Sequence, residues 1–545
     1  MNYLPDVSDL RLISPMITLS ITGMLVLMMG VFHRTSASRK YLAWISILGL
    51  FLAGVDTAYL LSSDVSRVIF GGMVAVDSLS LVFSLILILS GALACLISPA
   101  YLESHRMERG EYYALLLFSL VGMITMVSAA DLFAAFIGLE MMSIPIYCLA
   151  GFFRHSSRSA ESAMKYFILG AFASALFLYG IAFFYGITGT TNLAEIARVL
   201  GSGPFWLEDG VRADTGAQVL KLDLLPAIAM VMILVAFAFK VAAAPFHMWT
   251  PDVYQGAPSS VVGFMATAVK AAAFGALIRV FTTAFFAQGA RISDTGWLVT
   301  LFWLALFSMV LGNLVAIVQK DVKRMLAYSS IAHAGYLLVG FTAASVTGQS
   351  FAEMDAVVFY LLAYLFSTMG AFAVLAWFGK RGQECTTYDD LAGVADNHPG
   401  AALAMTLFML SSAGIPPTAG FVAKFFVFKA AVETGERLFI ILAVAGVLVS
   451  VAGVYYYLKL IVSMYMKSPR REVIALGGFE LKAAMVVCAA CTLLLGVLPG
   501  SGLELASDGI SNTSGLPAEI KAGKGAALIP TPPTPEQADA ALGLP

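Results

Sequence analysis

Glu140, Lys240, Lys270 and Lys424 each interrupt an apolar run long enough to cross a bilayer. A charged side chain at mid-bilayer costs about 2.5–3.5 kcal/mol even on the lenient insertion scale, so each needs a partner, a wet cavity or a function. Three of the four are lysines. An ammonium taken out of water holds its proton less tightly, and a nearby carboxylate restores the affinity. Lysines set between these influences can load and release protons near neutral pH, and several in series can hand them on. Metal or alkali-cation sites need oxygen clusters instead, and the spans carry no dense set of carboxylates. Glu140 reads either as a structural carboxylate held by a neighbouring lysine or as a relay carboxylate that tunes one.

Lesser candidates surround these four. Lys165 opens a span near its end and reads equally as a snorkelling anchor. His247 follows Lys240 by seven residues and shares its face if the helix resumes. Ser329, His333 and Tyr336 share one face at i, i+4, i+7. A proton wire has that pattern, and so does a hydrogen-bonded helix contact. Lys429, Asp56 and Asp77 read as residues of the membrane ends. Cys488 and Cys491 have C-x-x-C spacing inside an apolar helix and read as packing residues. No haem, iron–sulfur, zinc, P-loop or dinucleotide pattern is present in the sequence.

Two breaks position the lysines. Pro245 follows Lys240 by five residues, lacks an N–H and clashes with the carbonyl of Val241. Pro416 and Pro417 interrupt a second span ahead of Lys424. Broken helices at membrane depth are tolerated where protein or water satisfies the freed backbone.

The elements behind these sites are membrane helices. The chain has 545 residues, 59% of them hydrophobic and 12% charged, against about 25% charged in a soluble domain. The formal net charge of -2 points to no nucleic-acid partner. The reading is an all-α polytopic membrane protein set in a lipid bilayer. About fourteen spans are expected, at 13–32, 42–62, 73–97, 113–129, 132–152, 161–187, 223–245, 258–283, 295–318, 323–343, 353–378, 400–430, 437–465 and 480–500. The shortest division falls at Ala130-Asp131. The longest connection, 188–221, reads as an extramembrane loop, and 380–400 as a connection with a short interfacial helix.

Arg34, Arg39 and Lys40, then Arg106 and Arg109, Arg154 and Arg158, Lys320, Lys323 and Arg324, Lys380 and Arg381, and Lys467, Arg470 and Arg471 follow odd-numbered spans. Outside the long 188–221 connection, the loops after even spans are poor in such residues and hold Arg67, Arg291 and Arg437. This bias puts odd loops in the cytoplasm and both termini outside, in the periplasm of a bacterium. From Ser501 onward Ser, Gly, Ala and Pro dominate, and the segment 504–545 reads as a disordered tail. The broken spans are the seventh and the twelfth. Five spans apart, they suggest two five-helix units, the second inverted, with transport sites near the midplane.

Several stretches match a known family. Gly138-Leu-Glu140-Met-Met-Ser-Ile-Pro145, Lys165-Tyr-Phe-Ile-Leu-Gly170 and Lys240-Val-Ala-Ala-Ala-Pro-Phe-His-Met-Trp-Thr-Pro-Asp252 resemble the antiporter-like membrane subunits of respiratory complex I, the NADH–quinone oxidoreductase. So do Tyr254-Gln-Gly-Ala-Pro258, Ala327-Tyr-Ser-Ser-Ile-Ala-His333-Ala-Gly-Tyr336 and Gly414-Ile-Pro-Pro-Thr-Ala-Gly-Phe-Val-Ala-Lys424. The resemblance covers roughly residues 10 to 500. It implies fourteen helices, with inverted units over spans 4–8 and 9–13. The corresponding divisions are 1–112, 113–290, 291–466 and 467–503, followed by the tail. It implies proton translocation driven by quinone reduction elsewhere in the complex, with a key glutamate at Glu140, a broken-helix lysine at Lys240, a central lysine at Lys270 and a terminal lysine at Lys424. It also implies no cofactor in this chain. NADH, flavin, iron–sulfur clusters and quinone then belong to partners, the other membrane subunits being neighbours in a bacterial inner membrane. Two rivals stay open: a Mrp-type cation/proton antiporter, and a structural membrane spacer in which the lysines are dispensable.

Overall fold

A computed structural model describes residues 7–32, 40–105, 107, 109–202, 206–208, 220–222, 224–285, 297–347, 354–380, 383–469 and 473–511. Arg34, Arg39, Arg106, Arg291, Arg381, Arg470 and Arg471, part of the 188–221 connection, and 512–545 lie outside the described residues.

The apolar runs form helices. In chain order they are α1 (Ser14–Phe32), α2 (Lys40–Ser62), α3 (Ser78–Ser104), α4 (Gly110–Val127), α5 (Leu132–Ala150), α6 (Ser157–Thr188) and α7 (Leu224–Val241). After the first break come α8 (Thr250–Gly256), α9 (Ser259–Ala284), α10 (Trp297–Ile317), α11 (Val322–Thr347) and α12 (Met354–Trp377). The second break separates α13 (Pro399–Ala413) from α14 (Ala419–Glu433), and α15 (Arg437–Met466), α16 (Phe479–Val497) and α17 (Gly500–Ser511) follow. Among the described residues, twelve helices are long and apolar enough to cross a membrane. The other two expected spans are α11, whose first turns carry Lys323 and Arg324, and the broken pair α13–α14.

Short strands lie between helices. β1 (Arg67–Ile69) pairs antiparallel with β2 (Val74–Val76), and β3 (Trp206–Glu208) with β4 (Leu220–Leu222). β5 (Phe378–Lys380) lies between β6 (Gln383–Glu384) and β7 (Ile474–Ala475), so the connection after α12 is tied to the one after α15. The 188–221 connection also holds a helix, Leu193–Ser202.

α9 and α12 form the centre: every residue of their spanning windows is buried, as expected of helices that are apolar all round. α1, α2, α15 and α16 present long rows of exposed Leu, Val, Ile and Phe, the surface a membrane helix offers to lipid. α4 packs on α5, and α10 on α11, through glycines. A methyl on Gly122 would lie 2.3 Å from the backbone nitrogen of Met142, and one on Gly312 would lie 2.6 Å from that of Ala332. Backbones meet this closely only over the smallest residues. The division at Ala130-Asp131 is real. Asp131 caps α5, its carboxylate accepting from the N–H groups of Phe133 and Ala134 and from the Thr191 hydroxyl at 2.6 Å.

Three sequence expectations change. The tail does not begin at 501 or 504, because α17 continues to Ser511. Its Gly502, Ala506 and Gly509 are buried, and α17 packs on α3 and α12. Small residues at i, i+4, i+7 make a packing face that composition alone hides. Among the described residues of 380–398 only Val394–Asn397 is helical, and Tyr388 to Asp390 form a turn. Asp77 stands at a helix end, as expected, but in a buried ion pair rather than as a simple anchor. It caps α3 and, at 0% exposure, receives both guanidinium nitrogens of Arg279 at 2.6 and 2.9 Å, while the Arg279 Nε donates to the Val127 carbonyl at 2.7 Å.

That buried pair gives a test. Removing one partner of a buried ion pair costs about 3–5 kcal/mol. Asp77→Asn should therefore lower the thermal unfolding midpoint of the detergent-purified protein sharply. Adding Arg279→Met to Asp77→Asn should recover much of the loss.

Candidate functional site

The first break satisfies its own backbone. α7 ends at Val241, and Ala242 takes a φ of +61°. The Ala244 N–H donates to the Ser308 hydroxyl of α10 at 2.8 Å, and the Trp249 indole donates to the Phe239 carbonyl at 3.0 Å. Lys240, 1% exposed, sits in the last turn of α7. Its Nζ donates to Ser143 Oγ at 2.7 Å and to the Tyr147 hydroxyl at 3.4 Å, both on α5.

Glu140 lies one turn before Ser143 on α5, but no ion pair joins it to Lys240, and its Oε1 is buried without a hydrogen-bond partner. Of the two readings of Glu140, the one in which a neighbouring lysine holds the carboxylate directly is not what forms. The stripe Glu140, Ser143, Tyr147 (i, i+3, i+7) turns its serine and tyrosine, not its carboxylate, to the lysine. His247 does not extend the face of Lys240 either, since helix resumes only at Thr250. It lies in the break, half-buried, with Nδ1 unpartnered.

Lys270, 2% exposed, follows a π-helical turn over Met265–Val269 that interrupts α9. Such turns recur at functional sites. Its Nζ donates to the Ser330 carbonyl of α11 at 2.5 Å. The Ser330 hydroxyl accepts from the Tyr364 hydroxyl at 2.9 Å and lies 3.4 Å from that of Tyr254.

One turn along α11, the face expected from sequence forms as expected and gains partners. His333 Nδ1 is 2.6 Å from the Tyr360 hydroxyl and its Nε2 is 3.1 Å from that of Tyr457, which also bonds Ser329. Tyr336 accepts from Asn313 Nδ2 at 2.8 Å, and Tyr456 donates to Asn313 Oδ1 at 3.1 Å.

Lys424, on α14, reaches back across the second break. Its Nζ donates to the Ser412 and Ala413 carbonyls at 2.9 and 3.0 Å and to Ser450 Oγ at 2.8 Å. These carbonyls end α13, where a cation meets the negative end of the helix dipole. Gly414, at φ +84°, permits the approach: a Cβ there would meet the lysine Cδ at 2.9 Å. The two breaks are therefore not used alike, because Lys240 precedes its break and Lys424 follows its own.

Ring contacts connect the three lysine sites. Tyr147 packs on Tyr166 (4.8 Å between centroids), Tyr166 stacks on Trp249 (4.4 Å), and Trp249 meets Tyr254 (6.4 Å), the neighbour of Ser330. The His333 ring then lies 5.0 Å from Tyr364 and 5.7 Å from Tyr336, whose ring is 5.0 Å from the Lys424 Nζ. Sequence reasoning missed Ser330 (beside Ser329), Tyr360 and Tyr364 (one turn apart) and Tyr457 (the last of three tyrosines), because their partners lie on other helices.

Lys165 belongs elsewhere. It is 41% exposed and pairs with Glu161 and Asp252, each at 2.7 Å, and Asp252 also receives Arg324 at 2.7 Å. Burial works to raise the Asp252 carboxyl, but the two cations hold it below its ordinary value. Among the described residues, no group of three or more His, Cys, Asp or Glu stands close enough to hold a metal.

The chain is similar to known membrane proteins. Residues 129–450 match the family model described as NADH:quinone oxidoreductase/Mrp antiporter, TM. The chain is 44% identical over 506 residues, 92% of its length and 97% of the relative's, to a Trichlorobacter lovleyi protein named NADH-quinone oxidoreductase subunit N. Among solved structures it is similar to a chain of respiratory complex I from Thermus thermophilus with bound aureothin, at 34% identity and a TM-score of 0.72, covering 90% of this chain and 99% of that one. It shares its fold with a chain of the Mrp complex from Dietzia, at 21% identity and a TM-score of 0.74, covering 93% and 99%.

Tyr457→Phe tests the hydrogen-bonded core. It leaves both Ser329 and His333 Nε2 short of a partner, at about 1–3 kcal/mol for each buried polar group stranded. The unfolding midpoint should fall, and adding Ser329→Ala should cost less than the sum of the two single changes.

Proposed function

Because the chain belongs to the NADH:quinone oxidoreductase/Mrp antiporter membrane family, we propose that it is the proton-translocating membrane subunit of an NADH–quinone oxidoreductase, and so part of a translocase. The carrying observation is that Lys240, Lys270 and Lys424 are buried on serines and carbonyls with no carboxylate ion pair. A buried ammonium locked to a carboxylate cannot easily give up its proton. One held by neutral acceptors can exist with or without its charge, and each charge state biases the next lysine through the low-dielectric interior.

In this reading a proton passes along Lys240, Lys270 and Lys424. Ser143, Ser330, Ser450 and the hydroxyls around His333 offer positions where water can bridge. Glu140, beside the Lys240 site with an unpartnered oxygen, biases the first lysine through its charge. His247, Ser329, His333 and Tyr336 support the path, and Lys165 anchors a membrane end. Pro245, Pro416 and Pro417 hold the breaks.

Quinone reduction by partner subunits supplies the drive, and NADH, flavin, iron–sulfur clusters and quinone belong to those partners. Counting α11 and the broken pair gives fourteen crossings, with both termini periplasmic in a bacterial inner membrane. The divisions are 1–112, two inverted units over 113–290 and 291–466, and 467–503. The reciprocal glycine packing of α4 on α5 and of α10 on α11, the first two helices of each unit, supports the repeat.

Proton uptake by inverted membrane vesicles during quinone reduction tests the proposal, with assembly measured separately. Lys240→Ala should abolish most uptake in assembled complexes. Lys240→Arg should fail to restore it, because arginine does not release its proton in this range. An assembled Lys240→Ala complex that pumps at the wild-type ratio would favour the spacer reading.

A further inference from the structure

A second buried charge cluster lies at the end of the helices that hold Lys270, away from the proton path itself. Lys323, in the first turn of α11, is 0% exposed. Its Nζ donates to the Ala257 carbonyl at 2.5 Å and to Glu384 Oε2 at 2.9 Å. Glu384, on β6, is 16% exposed. Its Oε1 accepts from the Ser259 N–H at 3.0 Å, from Ser259 Oγ at 2.6 Å and from the Tyr101 hydroxyl of α3. Burial works to raise the Glu384 carboxyl, but the Lys323 charge and these hydrogen bonds keep it below the ordinary carboxylate range.

The pair grips the corner between α8 and α9 from both sides. The cation sits on the carbonyl of Ala257, the C-cap of α8, and the carboxylate on the first N–H of α9. Ser330, which receives Lys270, lies seven residues after Lys323, two turns along the same face of α11. α9 and α11 are thus pinned at two rungs, one at the corner and one at Lys270. A slip of one residue is about 1.5 Å of rise, enough to take a 2.5 Å lysine–carbonyl contact out of hydrogen-bond reach. Glu384 reaches the corner from a strand whose neighbour β5 also pairs with β7, so it joins two interhelical connections and α3 to the first unit's broken helix.

We propose that Glu384 is a positioning residue for proton transfer at Lys270, clamping with Lys323 the Ala257–Ser259 corner so that Lys270 is held on Ser330. The proposal rests on the proton-translocating reading above.

The test measures Lys270-dependent uptake in assembled complexes, defined as wild-type uptake per quinone reduced minus that of Lys270→Ala. Glu384→Gln is expected to cut it roughly ten-fold, the scale of a misplacement of about 1 Å, while Lys323→Arg, which keeps the pair, preserves it. An assembled Glu384→Gln complex with wild-type uptake overturns the clamp. Uptake unchanged in Lys270→Ala instead overturns the underlying reading. If Glu384→Gln does not assemble, Tyr101→Phe and Ser259→Ala each remove one donor to the same carboxylate and keep the ion pair. Reduced Lys270-dependent uptake in both supports the clamp, and wild-type uptake in either overturns it.

Discussion

An ammonium inside a bilayer must be solvated by protein, and much of the structure follows from meeting that need three times. A regular helix has its backbone carbonyls already bonded, so the lysines take what irregular structure or packing sets free. Lys424 uses the carbonyls at the end of α13, which the second break exposes. Lys270 follows a π-helical turn and borrows a carbonyl from α11. Lys240 relies on side-chain oxygens of α5 at the last turn before a break. Each break in turn needs its own satisfaction, which Ser308 and Trp249 supply at the first. The two fully buried helices, α9 and α12, bring these sites into one interior.

Charges are treated differently at the ends of the helices. There four buried or half-buried cations meet carboxylates, Arg279 with Asp77, Lys323 with Glu384, and Lys165 and Arg324 with Asp252, while Lys459 rests on the Ile317 and Gln319 carbonyls. Such pairs fix position and resist a change of charge state. The interior lysines lack them, and Glu140 is close to one without bonding it. On the proposed reading, the contrast separates residues that hold the bundle from residues that change charge within it.

Much of this was legible in the sequence because membrane constraints are severe. Hydrophobic length gave nearly every helix, the prolines gave both breaks, and the i, i+4, i+7 spacing put Ser329, His333 and Tyr336 on one face. What stayed hidden depended on partners distant in sequence. Tyr457 lies 124 residues from His333, and Arg279 lies 202 from Asp77. The π-helical turn leaves no mark in Met265–Val269. The order of lysine and proline in each span was legible, but that Lys424 reaches back to the carbonyls ending α13 was not. The face that turns Ser143 rather than Glu140 to Lys240 is a matter of helix rotation, which periodicity constrains only loosely. The packing face of α17 was lost in a composition read as disorder.

The central claim is that the three lysines act in series. Residues that act as one unit are non-additive: losing one costs nearly as much as losing all. Residues that each support the fold independently lose function in proportion to the number removed. The direct measurement is proton uptake per quinone reduced in assembled complexes carrying Lys240→Met, Lys270→Met, Lys424→Met and all three together. A series relay predicts that each single variant equals the triple. Partial losses that sum toward the triple would contradict it.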